Sequence, residues 1–76
     1  MWNPPKQLAY IIVLELLSKD IEKWITREEV VNLSFERKDE YEKEPLSFGK
    51  QILLCSSKPL WDKAEKVTLE LFPEHK

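Results

Sequence analysis

Between Leu8 and Leu17 the chain carries a single charge, Glu15, among nine apolar side chains. At helical pitch these side chains cover almost the whole circumference, and a helix that is apolar all round must be enclosed on most sides. The run is shorter than the roughly 20 residues needed to cross a bilayer, so it reads as a core helix. With 76 residues there is room for one domain only, and a chain this short buries only about 60% of its unfolded surface. Two arrangements answer the problem. Either this helix is the central post of a monomer, or its surface near Leu8, Ile11 and Ile12 meets a second copy of the chain. Asn3-Pro4-Pro5 supplies its start, with Asn3 capping free amides and proline in the first turn, and it should run to about Lys19.

The remaining composition excludes more than it assigns. Hydrophobic residues at 42% and charged residues at 34% make a globular balance. Cys55 is the lone cysteine, so no disulfide can close within the chain. Met1 is followed by Trp2, Asn3 and two prolines, which is no signal-peptide pattern, and the expectation is a cytoplasmic protein. Gly49 is the single glycine, which excludes a glycine-rich phosphate loop. Abundant Lys and Glu beside four Asn and Gln lean toward a thermophilic source. One histidine, His75, and one cysteine give no nucleophile-base pair and no zinc spacing. The pairs Glu28-Glu29 and Asp39-Glu40 suit caps and solvated loops better than acid-base chemistry. No catalytic residue, metal or cofactor is therefore expected.

The firmest local signal lies at Ile25-Thr26-Arg27-Glu28-Glu29-Val30. Thr26 is an N-cap, Glu29 completes a capping box, and Ile25 with Val30 occupies the two positions of a hydrophobic staple. The helix that follows directs Val30, Val31, Leu33 and Phe35 to the core, then meets an acidic stretch with net charge −3 over residues 26–44. Pro45 halts whatever precedes it. A third helix, from about Leu46 to Ser56, places Phe48, Ile52 and Cys55 on a buried face and Ser47, Lys50, Leu54 and Ser57 on the opposite one, with Gln51 at the margin. Gly49 inside it either permits a close approach or marks an irregular first turn. Trp24 and Trp61 are expected in core or rim packing, with base stacking by Trp61 as the alternative. Residues 58–72 read two ways. Leu60, Ala64, Val67 and Leu71 form a helical stripe, while Val67, Leu69 and Leu71 alternate as in a strand. Local propensity leans to helix, since a hairpin turn at Asp62-Lys63-Ala64-Glu65 lacks the usual Asn-Gly or Asp-Gly. Pro73 ends the element in either case, leaving His75 and Lys76 mobile.

The segment ITREEVVNL resembles the first helix of many helix-turn-helix units, and PLSFGKQILL is similar to their recognition helices. In element order the chain resembles the winged helix-turn-helix transcription regulators, above all the small ones encoded by archaeal viruses and plasmids. That resemblance implies an α+β fold of three helices and a C-terminal β-hairpin wing at residues 58–72, against the all-α four-helix domain that propensity favours. It departs from the pattern in one respect. A compact unit has a turn of about three or four residues, whereas residues 34–45 separate Leu33 from Leu46. Either the second helix continues to about Lys43, or a long acidic loop replaces the turn.

The function implied is a sequence-specific regulator that binds double-stranded DNA, with a homodimer on the DNA as a further expectation. Lys50 would donate to guanine and Gln51 would pair with adenine in the major groove. Ser47 would meet phosphate or base at the helix start, and Ser57 belongs to the same face. Lys58, Lys63 and Lys66 would hold phosphates along the wing, and Arg27, Arg37 and Lys38 would grip the backbone from the second helix. The net charge of −2 limits such contacts. The alternative is a small helical protein-interaction module, such as a virus-encoded modulator of a host protein.

Overall fold

The structure is a computed structural model that describes residues 2–75. Five helices follow in order: α1 (Lys6–Lys19), α2 (Arg27–Glu36), α3 (Lys38–Lys43), α4 (Lys50–Cys55) and α5 (Lys58–Leu71), with a short 3-10 turn at Pro73–His75. Among the described residues there is no strand. The α+β fold with a hairpin wing is therefore wrong, and the all-α alternative holds in a five-helix form.

The reason lies in residues 58–72. Pro59 sits in the first turn of α5, where a proline costs no hydrogen bond. The helical stripe then prevails over the alternating pattern. Ala64 and Thr68 are buried, and Leu60, Val67 and Leu71 pack half-buried against the core. The Thr68 hydroxyl donates to the Ala64 carbonyl at 2.6 Å, within the helix. Phe72 closes the element, fully buried.

Helix α1 is the post of the fold. It packs against α2, α4 and α5, and Leu8, Ala9, Ile11, Ile12, Val13, Leu14 and Leu17 are all buried on it. The surface near Leu8, Ile11 and Ile12 is thus covered by the chain itself, and no second copy is needed there. Enclosure depends on Gly49. Its backbone is left-handed at φ +73°, and a Cβ there would stand 2.5 Å from Ile11 Cγ2 and 2.7 Å from Ile11 Cδ1. Gly49 is at once the close approach and the irregular first turn, because α4 begins only at Lys50. That late start corrects the third helix. Phe48 is buried but lies before the helix, so Cys55 falls out of phase with it and is exposed.

The start of α2 follows the sequence. Thr26 Oγ1 accepts from the Glu29 amide at 3.2 Å, and Ile25 and Val30 both join the core. The reciprocal arm of the box is replaced, since the Glu29 carboxylate pairs with Lys23 at 3.3 Å. Phe35 turns outward and meets Trp2 edge-on at 5.6 Å, while Ser34 takes the buried position. Asn3 does not cap α1; its side-chain oxygen accepts from Arg27 instead. The acidic stretch is neither a loop nor an unbroken extension of α2. The helix breaks at Arg37 and resumes as α3.

Replacing Gly49 with alanine combines left-handed strain with overlap on Ile11 and should cost about 2–4 kcal/mol. Urea unfolding followed by circular dichroism measures it, and a loss well under about 1 kcal/mol would contradict the close approach. Thr26→Ala should cost about 1 kcal/mol in the same assay.

Candidate interaction surface

Two arginines expected to grip DNA are the tie-points of the fold. Arg27 donates to the Leu71 carbonyl at 2.8 Å, to Asn3 Oδ1 at 3.2 Å and to both oxygens of Glu74, and its guanidinium lies 4.5 Å from the centroid of the Phe72 ring. On the same ring His75 stacks nearly parallel at 5.2 Å, with Nε2 3.1 Å from the Pro4 carbonyl oxygen. The two chain ends are thus clasped to the start of α2, and His75 is held rather than mobile. Lys76 lies outside the described residues.

Arg37 does the same at the break between α2 and α3. It pairs with Glu15 of α1 at 2.8 Å and with Glu40 at 3.3 Å, and it lies 4.6 Å from the Phe48 ring centroid. Tyr41 meets the same ring edge-on at 5.5 Å. Lys38 pairs with Glu42, Lys58 pairs with Asp62, and Lys63 donates to the Ile21 carbonyl. Of the cations proposed for DNA, Lys50 and Lys66 keep exposed ammonium groups that make no ion pair among the described residues.

Ser47, Lys50, Gln51 and Ser57 are exposed, as expected of that face. Gln51 leans along α4 to Cys55 Sγ at 3.4 Å. Only α4 brings Lys50 and Gln51 together, over six residues. That is about 9 Å of helix. Lys66 stands on α5 and Arg27 beside the chain ends, so the ten expected residues do not form one basic face.

The surface also exposes large apolar side chains. Leu46 is 98% exposed in the turn after Pro45, and Leu54 is 73% exposed in the last turn of α4. Trp61, at the start of α5, is 38% exposed, and its indole N–H donates to the Leu53 carbonyl at 3.1 Å. That bond fixes the ring beside the C-terminal end of α4. Trp24 is 86% exposed beside exposed Ile21 in the connection before α2, so it packs in neither core nor rim. A groove of about 370 Å³ between α1 and α5 is lined by Lys6, Gln7, Tyr10, Glu65, Thr68 and Leu69. Burial, then the carboxylates of Glu65 and Asp62, push the Tyr10 phenol above its ordinary value. The exposed apolar residues are the part that sequence reasoning missed, Leu54 excepted. Leu46 and Trp61 could have been suspected only by knowing that the helices start at Lys50 and Lys58.

Among the described residues no group of three or more His, Cys, Asp or Glu side chains is placed to hold a metal ion. No helix is long and apolar enough to cross a membrane. No protein-family model matches the chain, nor does any curated protein or solved structure.

Arg27 holds the Glu74 carboxyl down to about 2, from an ordinary 4.5, chiefly through their hydrogen bonds. A depressed carboxyl contributes stability that is complete above its unfolded value and is lost as pH falls through the folded one. The clasp should therefore weaken between about pH 4.5 and 2. Glu74→Gln should flatten that part of the stability profile while leaving the slope above pH 5 unchanged, as read by thermal unfolding across a pH series. An unchanged acid limb would contradict the pairing.

Proposed function

We propose that this chain is a small helical protein-interaction module whose contact surface is the corner between α4 and α5. The observation that carries the reading is the exposure of Leu54 in the last turn of α4, with the Trp61 ring fixed at that end of the helix, and of Leu46 in the turn four residues before α4. Single exposed leucines are ordinary on a protein surface. Here three of the six large exposed apolar side chains among the described residues fall within residues 46–61, in a chain that has already filled its core. A rigid aromatic flanked by aliphatic side chains is the usual composition of an interface centre. Burying either leucine fully would contribute about 1.5–3 kcal/mol to binding.

One observation supports double-stranded DNA as a second reading: Ser47, Lys50 and Gln51 stay exposed at the start of α4. It is the weaker of the two. Most of the other cations expected on DNA are engaged within the chain, and apolar side chains at 98% and 73% exposure offer nothing to a phosphate backbone.

The test is affinity enrichment from the native host extract, followed by reconstitution with the purified partner. The Leu46→Ser, Leu54→Ser double variant should keep the wild-type melting temperature and bind that partner at least about tenfold more weakly. If no purified protein forms a stoichiometric complex, or if the double variant binds as wild type does, the reading is overturned. A gel shift on the gene's own upstream DNA with wild type and Lys50→Ala tests the second reading. A sequence-dependent shift that Lys50→Ala abolishes would establish it in place of the first.

A further inference from the structure

We infer that the outward face of α2 is a second contact surface, which takes an arginine side chain of a partner protein against the Phe35 ring. The chain supplies the template twice. Arg27 lies over the Phe72 ring and pairs with Glu74, and Arg37 lies over the Phe48 ring and pairs with Glu15 and Glu40. Phe35 is the remaining phenylalanine of three. It is exposed, and no cation lies over its ring among the described residues. The other components are present. Trp2 meets Phe35 edge-on at 5.6 Å, and the two rings share a groove of about 410 Å³ with Val31, Asn32 and Glu36. Glu36 is exposed and makes no ion pair among the described residues.

The free charge on this face has one sign. Glu28, two turns before Glu36, is also exposed and without an ion pair among the described residues, and it lines an adjoining groove with Asn32. No lysine or arginine lines either groove. The nearby cations are committed elsewhere. Arg27 and Arg37 are tied into the fold, Lys23 pairs with Glu29, and Lys38 pairs with Glu42. Lys6, four residues after Trp2, lines the separate groove between α1 and α5. A guanidinium stacks on an aromatic ring by its flat face and donates to a carboxylate by its edge, which a compact ammonium does less well. Phosphate or an acidic segment would meet two carboxylates with nothing to offset them. This face shares no residue with the α4–α5 corner.

The experiment uses the full chain and one designed helical peptide with arginine beside a leucine face, together with copies in which lysine or the neutral isostere citrulline replaces the arginine. Binding is followed by fluorescence anisotropy and by amide chemical shifts. The arginine peptide should bind, with shifts concentrated at Trp2 and residues 28–36, and added salt should weaken it. The lysine copy should bind several-fold more weakly and the citrulline copy at least about tenfold more weakly. Phe35→Ala and Glu36→Gln should each weaken the arginine peptide several-fold, the second with no change in melting temperature, while Leu54→Ser leaves its affinity unchanged. Equal binding of the arginine and citrulline peptides, no binding of either, or insensitivity to Glu36→Gln overturns the inference. Shifts gathered in residues 46–61, or loss of binding with Leu54→Ser, overturns it too and leaves the α4–α5 corner as the contact.

Discussion

The contact between Gly49 and Ile11 is the constraint on which the architecture depends. An all-apolar helix in a short chain has to be covered on every side by segments that are themselves short. α5 and α2 provide two walls, and the remaining side is closed where the backbone at Gly49 presses onto the middle of α1. No side chain fits in that gap, and no residue but glycine adopts that backbone without strain. The same contact delays the start of α4 to Lys50 and so decides which of its side chains face outward. Leu54 and Cys55 are exposed because of where Gly49 must lie, not because their stretch of sequence is polar.

Cations that look available in the sequence are committed by this arrangement. In a domain with so little interior, the connections and chain ends have few apolar contacts to hold them. Arg27 and Arg37 fill that role through forked hydrogen bonds and aromatic faces, each tying three segments together. The bonds are half-exposed, so each contributes modestly. Their effect is to fix geometry. A guanidinium that donates to a carbonyl, an amide oxygen and a carboxylate at once is a poor candidate for a phosphate clamp.

How much of this was legible depended on whether the signal was local. The cap at Thr26 and the end of α1 at Lys19 are set by neighbours a few residues away, and both were readable. The α5 helix was readable too, from the stripe Leu60, Ala64, Val67 and Leu71. A likeness to winged regulators, carried by about a quarter of the chain, implied a hairpin there instead, and α5 overturns that hairpin. Gly49 was visible as an anomaly, but its partner Ile11 lies 38 positions earlier, and no spacing rule links them. The phase error at Cys55 came from counting the third helix from Leu46, four residues before it forms. Exposure of Leu46 and Trp61 depends on where α4 and α5 begin, at Lys50 and Lys58, and could not be read from either residue's neighbours.

Removal of the wing changes what the third quarter of the chain can mean. In a winged regulator, lysines along a hairpin and lysines on a recognition helix act on one ligand from two sides. Here Lys58, Lys63 and Lys66 stand on a helix that is part of the core wall, and two of the three are held by Asp62 and by the Ile21 carbonyl. Those two charges are therefore spent on the fold, and Lys50 and Lys66 stay exposed without an ion pair among the described residues. A contact at the α4–α5 corner would draw its affinity from apolar burial rather than from a field of charges.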